Sequence, residues 1–471
     1  MLVCDDIRVH SGVATVAKEI ILATAHHFNW LNIGGAIKHP DAGKLFDISN
    51  DVNNHANIND SDVRVFCVDQ YGNEQILRSA IKAEKPDALM LITDPRYFGY
   101  IFSMEAEIRK HCPITYLNIW DDYPAPHYNK PFYRACDLLM GISKQTVNIN
   151  KLVLADCDNS KRVFKYVPHG LKAGTDIESY YPIPEDSDTH KQMLAFRKQI
   201  FHNQEVDFVM FFNSRNIRRK QIPDAMIAFR AFLDTLPKDK AQKCRFLLHT
   251  EIVSDAGTDL EAIREYLFEE DYPNVVIFSI AKLSRQQLNF LYNIADVQIL
   301  LTSNEGWGLT ITEAMLAGTP IIANVTGGMQ DQMRFVDENG EWFTPSPEVP
   351  SNHRGTYKEH GEWVFPVYPT SRSIQGSPPT PYIYDDRAKW EDAFERIKEC
   401  YDLGRTKLKE RGKKGREWCL SEEAGFTAKY QGQRVMEAFD ELFKVWEPRN
   451  TYDIVNATEY KGKFLNHKLL Y

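Results

Sequence analysis

Short apolar runs bounded by turn residues recur along the chain, and each is followed by a stretch with helical spacing. That alternation predicts parallel sheets with crossover helices. Two sets of strands are expected. The first covers 63–68, 88–92, 115–119, 138–142 and 163–167, with helices over 74–84, 102–110 and a segment capped by Ser143. The second covers 207–212, 245–249, 275–278, 297–300 and 320–323. Between the sets, 179–188 is acidic and punctuated by proline, which reads as a linker. A first domain over 1–175 and a second over 176–440 follow, the second carrying an irregular insertion at 337–386 rich in Pro, Gly, Ser and aromatics.

Length supports the division, because 471 residues exceed what one hydrophobic core usually holds. With 43% hydrophobic and 26% charged residues the composition is globular, which excludes disorder and disulfide scaffolds. A net charge of -9 has the wrong sign for coating nucleic acid or anionic membrane. The basic run Arg405, Lys407, Lys409, Arg411, Lys413, Lys414 and Arg416 reads as a solvated helix face, with a polyanion surface as the alternative. The eight cysteines contain no C-x-x-C pair and fit reduced, buried thiols. No run approaches the ~18 apolar residues of a membrane span, and Asp5, Asp6, His10 and Lys18 do not suit a signal peptide. The expected location is the cytoplasm, or the host cytoplasm if the protein is viral.

The segment from Ser303 to Ala323 carries the most chemistry. It reads as a strand end, a turn containing Gly306, Trp307 and Gly308, a helix opening near Leu309, and a further strand. Glycines at a strand-to-helix turn let backbone amides approach an anion, and the helix N-terminus adds partial positive charge, so this is a phosphate site. Glu305 at the turn and Glu313 on the helix bracket that site, and carboxylates accept from vicinal hydroxyls of a sugar or a ribose. The alternative is a Glu serving the helix macrodipole. After 207–212, Arg215 and Lys220 stand five apart and could neutralise a diphosphate leaving group; a plain basic surface loop is the alternative.

Together these segments resemble the retaining GT-B glycosyltransferases of family four, the glycosyl transferases group 1. The matching features are Glu305 and Glu313 around Gly-Trp-Gly, Arg215 with Lys220, Leu291-Tyr-Asn-Ile-Ala-Asp296, and Gly327-Gly-Met-Gln-Asp331. The resemblance is good over 205–335 and thin elsewhere. It implies an α/β, GT-B architecture of two Rossmann-like domains facing a cleft. It also implies a nucleoside diphosphate sugar as donor, UDP or GDP, and no metal. Glu305 would contact the transferred sugar and Glu313 the ribose, while amides of Gly306 to Leu309 would hold the distal phosphate. Ser11-Gly12-Val-Ala-Thr15 resembles the family's glycine loop in the acceptor domain, and Val167-Pro-His-Gly170 its interdomain Pro-Asn-Gly. The tail, 441–471, is expected to return to the first domain as helices.

One departure concerns the family's usual His in the first domain. Here 115–119 leads to Trp120-Asp121-Asp122-Tyr123-Pro124, where Asp121 or Asp122 could accept an acceptor proton or could simply be turn acids. Asp94 is a weaker case of the same kind. Asp60-Ser-Asp62 and Asp186-Ser-Asp188 read as solvated turns rather than metal ligands. A glycoside hydrolase would leave Arg215, Lys220 and the glycine turn without a task. A silent sugar-nucleotide scaffold and a nucleotide-sugar epimerase are further alternatives. A polysaccharide, lipid, metabolite or modified DNA base are all allowed as acceptor.

Overall fold

A computed structural model describes residues 1–35 and 38–449. The first sheet holds β1 (Leu2–Asp5), β2 (Trp30–Gly35), β3 (Leu45–Asp47), β4 (Val63–Cys67), β5 (Leu89–Ile92), β6 (Ile114–Asn118), β7 (Leu138–Gly141) and β8 (Val163–Tyr166). Its order is β3-β4-β2-β1-β5-β6-β7-β8, parallel except for β3 against β4. The second sheet holds β9 (Phe208–Asn213), β10 (Cys244–His249), β11 (Val276–Phe278), β12 (Val297–Leu300), β13 (Ile321–Asn324) and β14 (Val364–Val367), in the order β11-β10-β9-β12-β13-β14 and wholly parallel. Strands β1, β5, β6, β7, β12 and β13 are buried along their whole length, as expected when helices cover both faces of a parallel sheet.

The first part of the insertion, 337–363, is irregular, and the second part is not. It contributes the edge strand β14, where Pro366 is tolerated because the missing N–H costs no inner ladder bond, and then an antiparallel hairpin, β15 (Pro369–Ser377) with β16 (Thr380–Ala388). The basic run lies on the helix Trp390–Leu420, and several of its cations have separate partners. Arg405 pairs with Asp296 (3.3 Å), Lys409 with Glu185 (3.4 Å) and Lys414 with Glu362 (2.6 Å). The helix Ala428–Val445 lies against the first domain's Gly12–Thr24 helix, with Phe439 at 5.5 Å from Phe28. Most of the expected tail, 450–471, lies outside the described residues. All eight cysteines are free, and all but the half-buried Cys157 are buried.

Candidate active site

In an open parallel sheet ligands bind beyond the carboxyl ends of the strands, where the strand order reverses. In the second sheet that place is between β9 and β12. Strand β12 runs into the glycine turn and then the helix Leu309–Ala317. Gly308 caps that helix at φ 85°, a left-handed conformation that favours glycine, and no side chain bonds to the first-turn amides. Gly306 is required for a different reason. A Cβ there would stand 2.7 Å from Ile119 O of the first domain. The turn therefore closes directly on the loop that follows β6.

The loop after β9 brings Arg219 and Lys220 to the same carboxylate. Arg219 Nη1 lies 2.9 Å from Glu305 Oε2, and the Lys220 ammonium bonds to that oxygen as well. Burial opposes the charge on Glu305, yet Arg219 and Lys220 hold its carboxyl down to about 2. Asp121 faces the cluster from the first domain, 3.0 Å from where a Gly306 Cβ would be. Burial raises the Asp121 carboxyl, and Arg219 opposes the rise. Two carboxylates and two cations thus meet where the domains touch.

Glu313 projects from the second turn of the helix. Its carboxylate accepts from Tyr292 OH (2.5 Å) and is reached by Asn213 Nδ2 (3.4 Å) at the end of β9. Burial raises the Glu313 carboxyl, and the Tyr292 hydroxyl opposes the rise. Asp331 reaches across the domains and accepts from Lys144 N (2.8 Å), the first residue of the helix Lys144–Val153. Burial pushes Asp331 up to about 6, against the attraction of Lys144.

Several expected site residues stand elsewhere. Arg215 is exposed and makes no ion pair among the described residues, while Arg219, which spacing did not single out, meets Glu305. The Trp307 indole is 2% exposed and lies in the core against Phe426 (4.8 Å), so only its backbone borders the turn. Asp122 is fully buried, at 0% exposure, and accepts from Tyr123 N (2.8 Å) and Gln145 Nε2 (2.9 Å); a carboxyl so enclosed cannot take a proton from a substrate. Gly12 opens the first helix onto free space behind Ser11, whose hydroxyl donates to Asp5 (2.5 Å). Asp94 is engaged by Arg96 Nε (2.7 Å). Asp60 sits at φ 62° in a turn, Asp62 pairs with Arg64 (2.9 Å), and Asp188 opens a helix capped by Ser187.

One cluster escaped the sequence reading. Asp6, His39 and Cys67 bring three ligand atoms within 4.8 Å of one another. The Arg8 guanidinium already donates to Asp6 (2.7 Å) and Cys67 (2.9 Å), so a cation at that point would face a fixed positive charge.

Two Rossmann-like α/β domains with a phosphate-type turn at the switch point and opposed carboxylates across the cleft define a GT-B architecture. Residues 198–350, within the second domain, match the family model for glycosyl transferases group 1. The alpha-monoglucosyldiacylglycerol synthase of Acholeplasma laidlawii is 26% identical over 182 residues, 38% of this chain and 41% of that protein. The trehalose synthase of Pyrococcus horikoshii is 34% identical over 64 residues, 14% of this chain and 15% of that protein. The chain thus spans well under half the length of these curated relatives. Among solved structures, Anabaena HepE in complex with UDP and glucose has a TM-score of 0.60 at 13% identity, covering 93% of this chain and 98% of that one. Sucrose-phosphate synthase from Thermosynechococcus elongatus has a TM-score of 0.59 at 14% identity, covering 94% and 98%. These likenesses extend the fold over nearly the whole chain. No helix among the described residues is long and apolar enough to cross a membrane.

Proposed function

We propose that the protein is a retaining glycosyltransferase that moves a sugar from a nucleoside diphosphate sugar, UDP or GDP, to an acceptor held against the first domain. The observation that carries this reading is the meeting of Arg219, Lys220 and Glu305 beside the uncapped helix end at Gly308. The helix amides would receive the distal phosphate, and Lys220 with Arg215 or Arg219 would neutralise the charge that grows as the sugar carbon parts from the phosphate oxygen. Glu305 would accept from sugar hydroxyls and Glu313 from the ribose. Asp121 is the acceptor-side carboxylate, suited to orient the hydroxyl whose oxygen forms the new bond and whose proton must leave. No metal is required, because cations and amides meet the diphosphate. The solved relative with UDP and glucose bound supports a uridine nucleotide.

The deciding experiment incubates the protein with a panel of UDP- and GDP-sugars and with polysaccharide, lipid, metabolite and modified-DNA acceptors, reading products by mass spectrometry. A glycosylated acceptor is expected. Sugar changed without acceptor would favour an epimerase, and nucleotide binding without any product a silent scaffold.

A further inference from the structure

The β15–β16 hairpin belongs by chain to the second domain but bonds to both. On its own side Asp386 N donates to Ser303 O (2.8 Å), Asn324 Nδ2 donates to Asp386 O (2.7 Å), and Ser303 Oγ donates to Asp385 Oδ1 (2.5 Å). These contacts brace the residues just before Glu305. On the far side Tyr384 N donates to Tyr123 O (2.7 Å), Tyr128 OH donates to Tyr382 O (2.8 Å), and Arg96 Nη1 donates to Pro379 O (2.8 Å). The hairpin is therefore a strap across the mouth of the cleft.

At the centre of the strap lie two carboxyls with no exposure to water, Asp122 and Asp386, both at 0%. Arg372 forks Asp386 at 2.5 and 2.7 Å. The Thr326 hydroxyl stands 2.9 Å from Asp386 Oδ2 and 3.4 Å from Asp122 Oδ2. Two carboxylates buried this close together repel each other, and the Arg372 guanidinium offsets part of that repulsion. Burial first, and the Asp386 charge second, push the Asp122 carboxyl well above the usual carboxylate range. The shared Thr326 hydroxyl, together with the bond from Tyr384 N to Tyr123 O, joins the strap to the loop that presents Asp121.

We propose that Asp386 and Arg372 are positioning residues for sugar transfer: by holding Asp122 they fix the 119–124 loop, and so keep Asp121 against Gly306 and the Glu305 pair. The proposal rests on the glycosyltransferase reading of the same cleft. The strap closes the reacting centre from both domains at once, whereas Gly308 and Glu313 are held within the second domain by the helix Leu309–Ala317. Loss of the strap should therefore damage turnover and spare binding of bare nucleotide. Misplacing a reacting group by about 1 Å can cost on the order of 100-fold in rate.

The test compares Asp386→Ala and Asp386→Asn in the full chain, measuring kcat, UDP affinity and hydrogen exchange of amides 119–124. For Asp386→Ala the expected result is a kcat lower by about 10- to 100-fold, UDP affinity within about two-fold, and faster exchange in 119–124. The amide side chain of the Asp386→Asn variant still offers an oxygen to the Thr326 hydroxyl that Asp122 shares, so this variant should regain most of the kcat and the protection. Should Asp386→Ala fail to fold, Arg372→Gln provides the same comparison. Wild-type kcat and unaltered exchange in the Ala variant, or an Asn variant as impaired as Ala, would overturn the proposal. Faster exchange in a protein that glycosylates nothing would leave the strap standing and remove the glycosyltransferase reading instead.

Discussion

The Arg219 guanidinium lies 2.9 Å from the Glu305 carboxylate, on the oxygen that also receives Lys220. On the proposed reading, a bound diphosphate and Glu305 would compete for the same two cations. Donor binding must exchange one anion for another, so the roles of these residues can be separated by charge.

Lys220→Ala should lower kcat more than it weakens donor binding. The phosphate charge that Lys220 meets is larger in the transition state than in the ground state. Removing one such donor costs about 10²–10³ in turnover. Steady-state kinetics at saturating donor reads the effect, and a wild-type kcat would remove Lys220 from the leaving-group role.

Glu305→Gln keeps the shape of the turn but frees Arg219 and Lys220 from their carboxylate. Bare nucleoside diphosphate should bind at least as tightly as to the wild type, while intact sugar nucleotide turns over poorly. Calorimetric titration of both ligands checks this. Equal weakening of the two would place Glu305 away from the sugar.

How much of this was legible in the sequence depended on whether the signal was local. The segment Ser303–Ala323 could be read as strand, turn, helix and strand because Gly306 and Gly308 punctuate it and apolar runs flank it. Strands β1 and β2 did not enter either strand set: β1 is only four residues long and begins at Leu2, and β2 ends in two glycines. Strand β14 and the hairpin were hidden by the prolines and glycines of 364–380, which lower strand propensity but are tolerated at an edge and a turn. Spacing alone favours Arg215, and Arg219 comes beside Lys220 at Glu305 only through the short helix Arg218–Lys220 that the sequence does not announce. Asp121 and Asp122 are neighbours in sequence, and their opposite fates, facing Glu305 or buried beneath the hairpin, depend on contacts some 200 residues away, as with Thr326 at 3.4 Å from Asp122.

Chelation should leave turnover largely intact, because side-chain cations and helix amides supply the charge a metal would otherwise bring. Activity assayed with and without EDTA reads this directly. An absolute need for Mn²⁺ or Mg²⁺ would return attention to Asp60, Asp62, Asp186 and Asp188.

Asp331 gives a pH-dependent contribution to stability. Its carboxyl rises from 3.8 to about 6 on folding, chiefly through burial, so its contribution favours the folded state below about pH 4 and is lost as pH rises through about 6. Asp331→Asn keeps an acceptor for the Lys144 amide and removes the buried charge. It should melt above the wild type at pH 7.5 and lose that advantage by pH 4. Melting curves that stay parallel across this range would contradict the assignment.

Thermal melting with UDP, GDP and ADP probes the proposed nucleoside diphosphate site at the Glu305 to Gly308 turn. A ligand bound only by the folded protein, at 100 times its dissociation constant, adds roughly 2.7 kcal/mol. The account predicts that UDP or GDP raises the melting temperature of the wild type and that Glu313→Ala shrinks the rise. A melting temperature unmoved by all three nucleotides would contradict it.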